Sequence, residues 1–259
     1  MAEDNRPIGV FDSGVGGISV LGELIRLMPN ENFIYFGDSR NAPYGTKPHE
    51  LVRELTLATA ALLTDARCKC LVIACNTATA AAVRPLRELY PTVPVIGIEP
   101  SIKPAVLANP NGHVLVMATA VTLGEDKFLR LMAKYDGMAH ISTLACPGIV
   151  EFVERGVVEG EELDAYLKEL LADYIENPPD AAVLGCTHYP FVRRPIAKAL
   201  GKRTQIYDGG GGTAREALRQ LKLHGLLAAP GQIGSVVLRN SNGQAAELSR
   251  RLLEIARNL

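Results

Sequence analysis

The sequence lacks any excess of charge of one sign, any long apolar run and any dense pattern of cysteines. The 27 Lys and Arg residues balance 28 Asp and Glu residues, for a net charge of −1, which gives no electrostatic reason for a nucleic-acid or membrane-surface partner. The uncharged, largely apolar stretch at residues 70–83 is shorter than the ~20 apolar residues that a membrane helix needs. Five cysteines, an odd number in apolar or Gly/Thr contexts, do not form a disulfide framework. Residues 1–7 are polar and unlike a secretory signal, so we expect a cytoplasmic protein.

Short apolar strands alternate with amphipathic helices along the 259 residues, a length that allows one large domain or two of modest size. The predicted strands are residues 8–11, 33–36, 71–74, 93–97, 114–118, 181–185, 205–207 and 236–238. The predicted helices are residues 18–28, 48–65, 78–89, 161–176, 213–223 and 244–257. Apolar strands separated by helices are typical of an α/β protein with parallel sheets covered on both faces. Ligands bind beyond the carboxyl ends of such strands.

Two cysteines follow predicted strands in similar contexts. Cys75 is followed by Asn76 and Thr77, and Cys186 by Thr187, and the two cysteines are 111 positions apart. This spacing suggests two similar halves that face each other. A helix N-terminus after each cysteine would favour the thiolate form. Asn and Thr are capping residues, and their side chains could also hold a carboxylate.

Two thiols opposed across a cleft would act as a base and an acid on opposite faces of a bound carbon. That arrangement suits inversion of a stereocentre through a planar carbanion. The alternative, for either cysteine alone, is a small buried hydrophobic residue. We interpret Cys146, which precedes a proline, as structural, and Cys68 and Cys70 as packing residues, because Cys-x-Cys without a second cluster is a poor zinc pattern.

Two glycine-rich loops, residues 14–17 and 209–212, follow predicted strands as phosphate-binding loops do. The dinucleotide fingerprint requires a glycine where Ser19 stands, however, and neither loop has the P-loop lysine. We therefore predict tight turns with positive φ. The backbone amides of the first loop, beside Asp12 and Ser13, remain able to approach a small anion.

Several polar residues have a simpler alternative role. Asp12 could cap the first helix or its turn, and His188 could be a loop histidine. Asp38 and Ser39 could form only an Asx-turn. We place the remaining histidines at the surface by default: His49, His113, His140 and His224.

Six segments together make the chain recognisable: GVFDSGVGGISVL from Gly9, YFGDS from Tyr35, PYGTK from Pro43, ACNTATAAA from Ala74, ACPGIVEFVERG from Ala145 and LGCTHYPFV from Leu184. The sequence resembles the glutamate racemases, a cofactor-independent family that supplies D-glutamate for bacterial peptidoglycan. The resemblance implies two pseudo-symmetric, three-layer α/β domains with mostly parallel sheets and an active site in the cleft between them. Domain one would comprise residues 1–98 and 208–259, and domain two residues 99–207.

The resemblance also implies roles for individual residues. Cys75 would take the proton from D-glutamate and Cys186 from L-glutamate, assisted by Asp12, His188 and Glu154. The expected contacts of the amino acid are Asp12, Ser13, Tyr44, Gly45, Asn76, Thr77, Thr187 and His188. We expect no cofactor and no metal, L- and D-glutamate as the ligands, no nucleic-acid or membrane partner, and a homodimer.

The chain departs from the family pattern at three places, none within the cysteine segments. Glu151 stands where the family usually has a proline, and Gly124-Glu125-Asp126 differs from the sequence that is common in the family at that place. The glycines at 209–212 stand where the family often has a Ser or Glu. The second departure bears on the cleft wall and hence on side-chain selectivity.

Three rival functions remain at this point. A related isomerase acting on aspartate or another small acid would use the same thiols. A thiol hydrolase would use Cys186 as nucleophile and His188 as base, although residues two apart on a turn need not face each other and the second thiol would have no role. The third is a binding module without chemistry.

Overall fold

The computed structural model describes residues 3–259, apart from the side chain of Lys127. Met1 and Ala2 of the polar N-terminal segment lie outside the described residues. The strands are β1 (Ile8–Asp12), β2 (Phe33–Gly37), β3 (Cys70–Ile73), β4 (Val95–Gly97), β5 (His113–Ala118), β6 (His140–Ala145), β7 (Ala181–Leu184), β8 (Gln205–Asp208) and β9 (Val236–Asn240).

The helices alternate with these strands. They are α1 (Ile18–Leu27), α2 (His49–Asp65), α3 (Asn76–Leu89), α4 (Ile102–Ala108), α5 (Ala120–Gly124), α6 (Asp126–Ala133), α7 (Ile149–Glu154), α8 (Glu161–Leu170), α9 (Ala172–Ile175), α10 (Arg193–Leu200), α11 (Gly210–Leu223) and α12 (Ala245–Ala256). Two 3₁₀ turns, Tyr44–Thr46 and Tyr189–Val192, complete the secondary structure of the described residues. No helix in this part of the chain is both long enough and apolar enough to cross a membrane.

The chain forms two compact units. The first unit joins the segment that ends at Glu99 to Gly210–Leu259, and the second is Pro100–Gly209. The first unit contains a sheet of order β4-β3-β1-β2-β9, in which every strand pair is parallel. All residues of β1 and β3 are buried, so both faces of the centre of this sheet are covered. On one face, Leu71 and Ile73 share a core with α2 and α3.

The second unit contains a parallel sheet of order β6-β5-β7-β8. The central strands β5 and β7 are almost entirely buried, whereas β6 and β8 at the edges are partly exposed. Both sheets are therefore parallel and connected through helices, which confirms the predicted α/β class. In both sheets the residues that follow the central strands lie at the carboxyl edge, where such folds bind ligands.

The structure differs from the sequence prediction in several elements. Strand β6 was not predicted, because its sequence, His-Ile-Ser-Thr-Leu-Ala, contains no apolar run and half of it faces solvent. The predicted helix over 161–176 is wrong as a single element, since it breaks at Leu171 into α8 and α9. The short helices α4 to α7 and α10 were also missed.

The prediction of positive φ in the two glycine loops is wrong. Gly17 has φ −63°, and the described glycines with positive φ lie in other loops. Position 17 requires a glycine for a steric reason instead, because a Cβ on Gly17 would lie 2.5 Å from the Cβ of Asp12. Close approach of the loop to the end of β1 therefore explains this residue.

Candidate active site

Cys75 lies at the N-terminus of a long helix. It follows β3 through Ala74 and is the N-cap of α3, with extended backbone angles. Its Sγ accepts a hydrogen bond from the backbone N–H of Ala78 at 3.5 Å, and the thiol in turn points to Ser13 Oγ at 3.5 Å. The side chain is only 6% exposed. Free N–H groups and the helix dipole favour negative charge at this position, as the sequence predicts for Cys75.

Asp12 and Ser13 reach the same edge of the first unit from the neighbouring strand. Asp12 is the last residue of β1, which pairs directly with β3, and it is completely buried. Its Oδ1 accepts a hydrogen bond from the N–H of Gly14 at 2.8 Å. The N-cap of α1 is Gly17, without a side-chain cap. Asp12 therefore stabilises its own turn and does not cap the helix.

Tyr44 belongs to the same buried cluster as Cys75. Its hydroxyl donates a hydrogen bond to Asp38 Oδ2 at 2.7 Å. Burial raises the pKa of Tyr44 far above its usual range, and the hydrogen bond and charge of Asp38, with the charges of Cys75 and Asp12, act in the same direction. These four groups are therefore electrostatic neighbours, and the Tyr44 hydroxyl remains protonated.

Asn76 presents a polar atom with no partner among the described residues. Asn76 and Thr77 are the first two residues of α3, and Thr77 is buried. The side-chain carbonyl oxygen of Asn76 is buried and lacks a hydrogen-bond partner there. A buried polar group without a partner is costly, so this amide is available to a ligand. Gly45, half-buried beside Tyr44, completes the predicted residues of the first unit.

Cys186 and His188 face each other in the second unit. Cys186 follows β7 through Gly185, where a Cβ would lie 2.8 Å from the carbonyl oxygen of Met117. Its Sγ is 3.6 Å from His188 Nδ1, and His188 Nε2 is 2.8 Å from Glu154 Oε1. The three side chains thus form a thiol–imidazole–carboxylate series, with Thr187 buried between Cys186 and His188 in the chain.

The surroundings of His188 favour its charged form. The ring is only 3% exposed. Burial by itself lowers the pKa of His188, but its contacts with Cys186 and Glu154 outweigh burial and raise the pKa well above the usual value. The contacts with Cys186 and Glu154 thus favour the charged form of His188, which is the form that stabilises a neighbouring negative charge.

One part of the prediction for Cys186 is also wrong. The residues after it form a short 3₁₀ turn over Tyr189–Val192 before α10 begins, so Cys186 does not stand at the N-terminus of an α-helix as Cys75 does. The polar neighbour of the Cys186 thiol is therefore the His188 side chain and not a helix end. Sequence reasoning could not distinguish these two surroundings, because a threonine follows each cysteine within two residues.

The other cysteines occupy different surroundings. Burial raises the pKa of Cys68 to about 11 and that of Cys146 to about 12, and it raises that of Cys70 as well. The Cys146 thiol donates to the carbonyl oxygen of Leu144 at 3.4 Å. These thiols stay protonated, in agreement with a packing role. Sequence reasoning missed Tyr189, a fully buried tyrosine whose hydroxyl donates to the carbonyl oxygen of Cys146 at 3.1 Å.

Residues 20–217 match the family model described as Asp/Glu/Hydantoin racemase. The chain belongs to this family, and it is accordingly an isomerase of the racemase class.

Relatives along nearly the whole length carry a more specific name. The chain is 50% identical over 256 residues to the glutamate racemase of Clostridium botulinum, with 98% of this chain and 99% of the relative covered. It is 48% identical over 252 residues to the glutamate racemase of Clostridium novyi, with 96% and 97% covered.

Two solved structures are similar to the chain as well. One is glutamate racemase from Francisella tularensis in complex with D-glutamate, with 31% identity, a TM-score of 0.83, and 97% of this chain and 94% of that chain covered. The other is Escherichia coli glutamate racemase in complex with L-glutamate and the activator UDP-MurNAc-ala, with 31% identity, a TM-score of 0.83, and 97% and 95% covered.

Proposed function

We propose that this racemase interconverts L- and D-glutamate by a two-thiol acid/base mechanism without pyridoxal phosphate or metal. The observation that carries the proposal is the series Cys186–His188–Glu154, in which a buried imidazole contacts a thiol through one nitrogen and a carboxylate through the other. A second thiol, Cys75, caps a helix in the other unit. Relatives about half identical to the chain are named glutamate racemases, and two structural relatives bind D- or L-glutamate.

In the proposed reaction, one thiolate removes the α-proton and the other thiol returns a proton to the opposite face of the carbanion. Cys186 acts as the base on L-glutamate, and Cys75 acts as the base on D-glutamate. His188 stabilises the Cys186 thiolate, and Glu154 orients and charges His188. Because the α-hydrogen is far less acidic than a thiol, the rate depends on positioning, on donors aimed at the developing enolate and on exclusion of water.

Polar groups hold the amino acid itself in this proposal. We propose that the contacts are Asp12, Ser13, Tyr44, Gly45, Asn76, Thr77, Thr187 and His188. The partnerless amide oxygen of Asn76 supports this assignment. We further propose that residues 1–98 with 208–259 and residues 99–207 act as the two domains, each of which supplies one of the two thiols.

The proposed biological role is the supply of D-glutamate for peptidoglycan synthesis in the cytoplasm, by a homodimer. The resemblance to the glutamate racemases motivates both the biological role and the homodimer. Growth of a D-glutamate auxotroph carrying this chain tests the first, and failure to restore growth would contradict it. Sedimentation velocity of the purified protein tests the second, and a monomer at micromolar concentration would contradict it.

The decisive experiment follows L-glutamate in heavy water by NMR of the α-proton and by optical rotation together. We expect loss of the α-proton signal and of rotation with no added cofactor. Cys75→Ala and Cys186→Ala should each abolish racemisation in both directions, because every turnover needs both a base and an acid. Cys68→Ala is the matched control, since that thiol is buried with its pKa raised to about 11. Near-normal turnover by either active-site variant would overturn the two-thiol mechanism.

One observation favours a second candidate, a thiol hydrolase. The contact of 3.6 Å between Cys186 and His188 removes the argument that residues two apart on this turn need not face each other. The family membership and the second thiol favour racemisation. A substrate ester separates the two: a hydrolase would form a covalent adduct on Cys186 that mass spectrometry detects, whereas the proposed racemase would form none.

A further inference from the structure

Two adjacent residues after β7 hold both ends of one segment of the second unit. His188 Nε2 lies 2.8 Å from Oε1 of Glu154, the last residue of α7. The next residue, Tyr189, donates its hydroxyl hydrogen to the carbonyl oxygen of Cys146 at 3.1 Å, in the loop that leads into α7. The segment 146–154 is therefore held at its beginning by Tyr189 and at its end by His188.

Tyr189 links the turn that carries Cys186 to this loop. Its side chain is completely buried. Burial, together with the charge of Cys186, raises the pKa of Tyr189 well above its usual range, so the hydroxyl keeps its hydrogen and donates it. The backbone N–H of the same residue donates to the carbonyl oxygen of Cys186 at 3.1 Å. Tyr189 thus bonds the backbone at Cys186 with one group and the backbone at Cys146 with the other.

Helix α7 depends on contacts of this kind for its position. It has six residues, far fewer than the ~12–15 that make a helix stable by itself in water. Its N-cap, Gly148, has φ +87° and makes no side-chain capping bond, so the chain turns sharply just before the helix. The place of Glu154 is therefore set by the packing of α7 and by whatever holds the preceding loop. The Tyr189 hydroxyl is a donor to that loop.

We propose that Tyr189 is a positioning residue whose hydroxyl holds the loop before α7, so that Glu154 stays in contact with His188. This inference rests on the proposed function, in which His188 stabilises the thiolate of Cys186. Tyr189 does not touch the substrate in this account. Its effect passes through Glu154 and His188 to one of the two thiols, and this gives it a kinetic signature of its own.

Tyr189→Phe, which removes only the hydroxyl, tests the proposal. We expect kcat/KM to fall about fivefold from both enantiomers, the effect of losing one neutral hydrogen bond. The primary deuterium isotope effect from L-glutamate should rise above that from D-glutamate, because only proton transfer at Cys186 is slowed. A smaller folded fraction would reduce the rates with labelled and unlabelled substrate alike and cancel in their ratio. Isotope effects that stay as in the wild type would overturn the proposal.

Tyr166→Phe is the matched control. The Tyr166 hydroxyl lies beside the same loop, 3.0 Å from where a Cβ on Gly148 would stand, and it is buried without a hydrogen-bond partner among the described residues. Its removal costs no hydrogen bond, so this variant should match the wild type. The same change of isotope effects in both tyrosine variants would indicate loose packing and overturn the proposal.

A double variant tests the route through Glu154. Once Glu154→Ala has removed the carboxylate, the loop has no contact with His188 left to maintain. Adding Tyr189→Phe to Glu154→Ala should therefore leave the isotope effects of Glu154→Ala unchanged. A further change in the double variant would show that Tyr189 acts by another route and would overturn the proposal.

Titration of the His188 ring, followed by NMR, reports on the same contact without any turnover. Glu154 is one of the contacts that raise the pKa of His188, so this pKa should fall in Tyr189→Phe and stay at the wild-type value in Tyr166→Phe. An unchanged pKa in Tyr189→Phe would overturn the proposal even in an active racemase. If the pKa falls but the wild type does not racemise glutamate, the proposed function fails while the hold of Tyr189 on Glu154 stands.

Discussion

Replacement of His188 by asparagine tests the thiol–imidazole–carboxylate series most directly. Two unit charges separated by the 3.6 Å between Cys186 Sγ and His188 Nδ1 interact by about 4–5 kcal/mol at an effective dielectric constant of about 20. If half of this interaction is lost in the transition state for proton transfer at Cys186, the barrier rises by about 2 kcal/mol and the rate falls about 30-fold. Asparagine keeps a polar side chain of similar reach but carries no charge.

The two directions of the reaction reveal which thiol is affected. An enzyme cannot shift the equilibrium between enantiomers, so kcat/KM must fall equally from L- and D-glutamate. Primary deuterium isotope effects on kcat/KM nevertheless differ, because proton transfer at Cys186 becomes more rate-limiting. In His188→Asn we expect the isotope effect from L-glutamate to rise above that from D-glutamate, and the reverse in Asp12→Asn. Equal isotope effects from both enantiomers in both variants would refute the assignment of His188 to Cys186 and of Asp12 to Cys75.

Three further predictions concern stability. Lys69 and Glu31 form a buried ion pair of 2.6 Å, and Lys69→Met leaves Glu31 without its partner. The free energy of unfolding, measured in urea, should fall by about 3–5 kcal/mol. A loss below about 1 kcal/mol, which is typical of an exposed pair, would contradict this. Gly17→Ala should cost about 1–3 kcal/mol through overpacking against Asp12, whereas Gly243→Ala, with open space around its Cβ position, should be nearly neutral; equal effects would contradict the steric explanation. Because the pKa of His188 is raised on folding, its contribution to stability should be full below the ordinary histidine pKa of about 6.5 and disappear as the pH rises through the raised value; a pH-independent difference between wild type and His188→Asn in urea titrations would contradict that sign.

The central strands could be predicted from sequence because burial on both faces gives them continuous apolar runs. Ile8–Asp12 and Ala181–Leu184 are buried throughout, and the predictions for both agree with the structure to within one residue. Strand β6 lacks a continuous apolar run because it lies at the edge of its sheet. There His140 and the polar residues after it are partly or fully exposed to solvent. The predicted helix over 161–176 is replaced by two short helices that are separated at Leu171. Because Leu171 is fully buried, it fits the apolar periodicity of a continuous helix, and that periodicity does not indicate the break.

The candidate site likewise has features that could be predicted from the sequence and features that could not. The position of Cys75 at a helix N-terminus follows from local sequence, since Asn76 and Thr77, residue types that favour helix starts, come directly after it. The partnership of His188 with Glu154 joins residues 34 positions apart, and local physical chemistry cannot indicate it. Only the resemblance singled out Glu154. The half-buried His113, whose ring lies 2.7 Å from Ser142 Oγ, corrects the prediction of a surface residue, because the pairing of β5 with β6 was unknown from sequence.

The discontinuity of the first unit has a consequence for synthesis of the chain on the ribosome. Strand β9 pairs with β2 so that Val236 lies beside Phe33, and Gly22 in α1 leaves room for Ala256, whose carbonyl oxygen would be 2.6 Å from an added Cβ. These contacts join residues more than 200 positions apart. The N-terminal segment therefore leaves the ribosome with one edge of β2 unpaired and one face of α1 uncovered. It cannot complete its fold until the C-terminal residues have been synthesised. The second unit is continuous in sequence, so it is free to fold first, and nascent chains arrested shortly before β9 should yield a protease-resistant fragment from the middle of the protein.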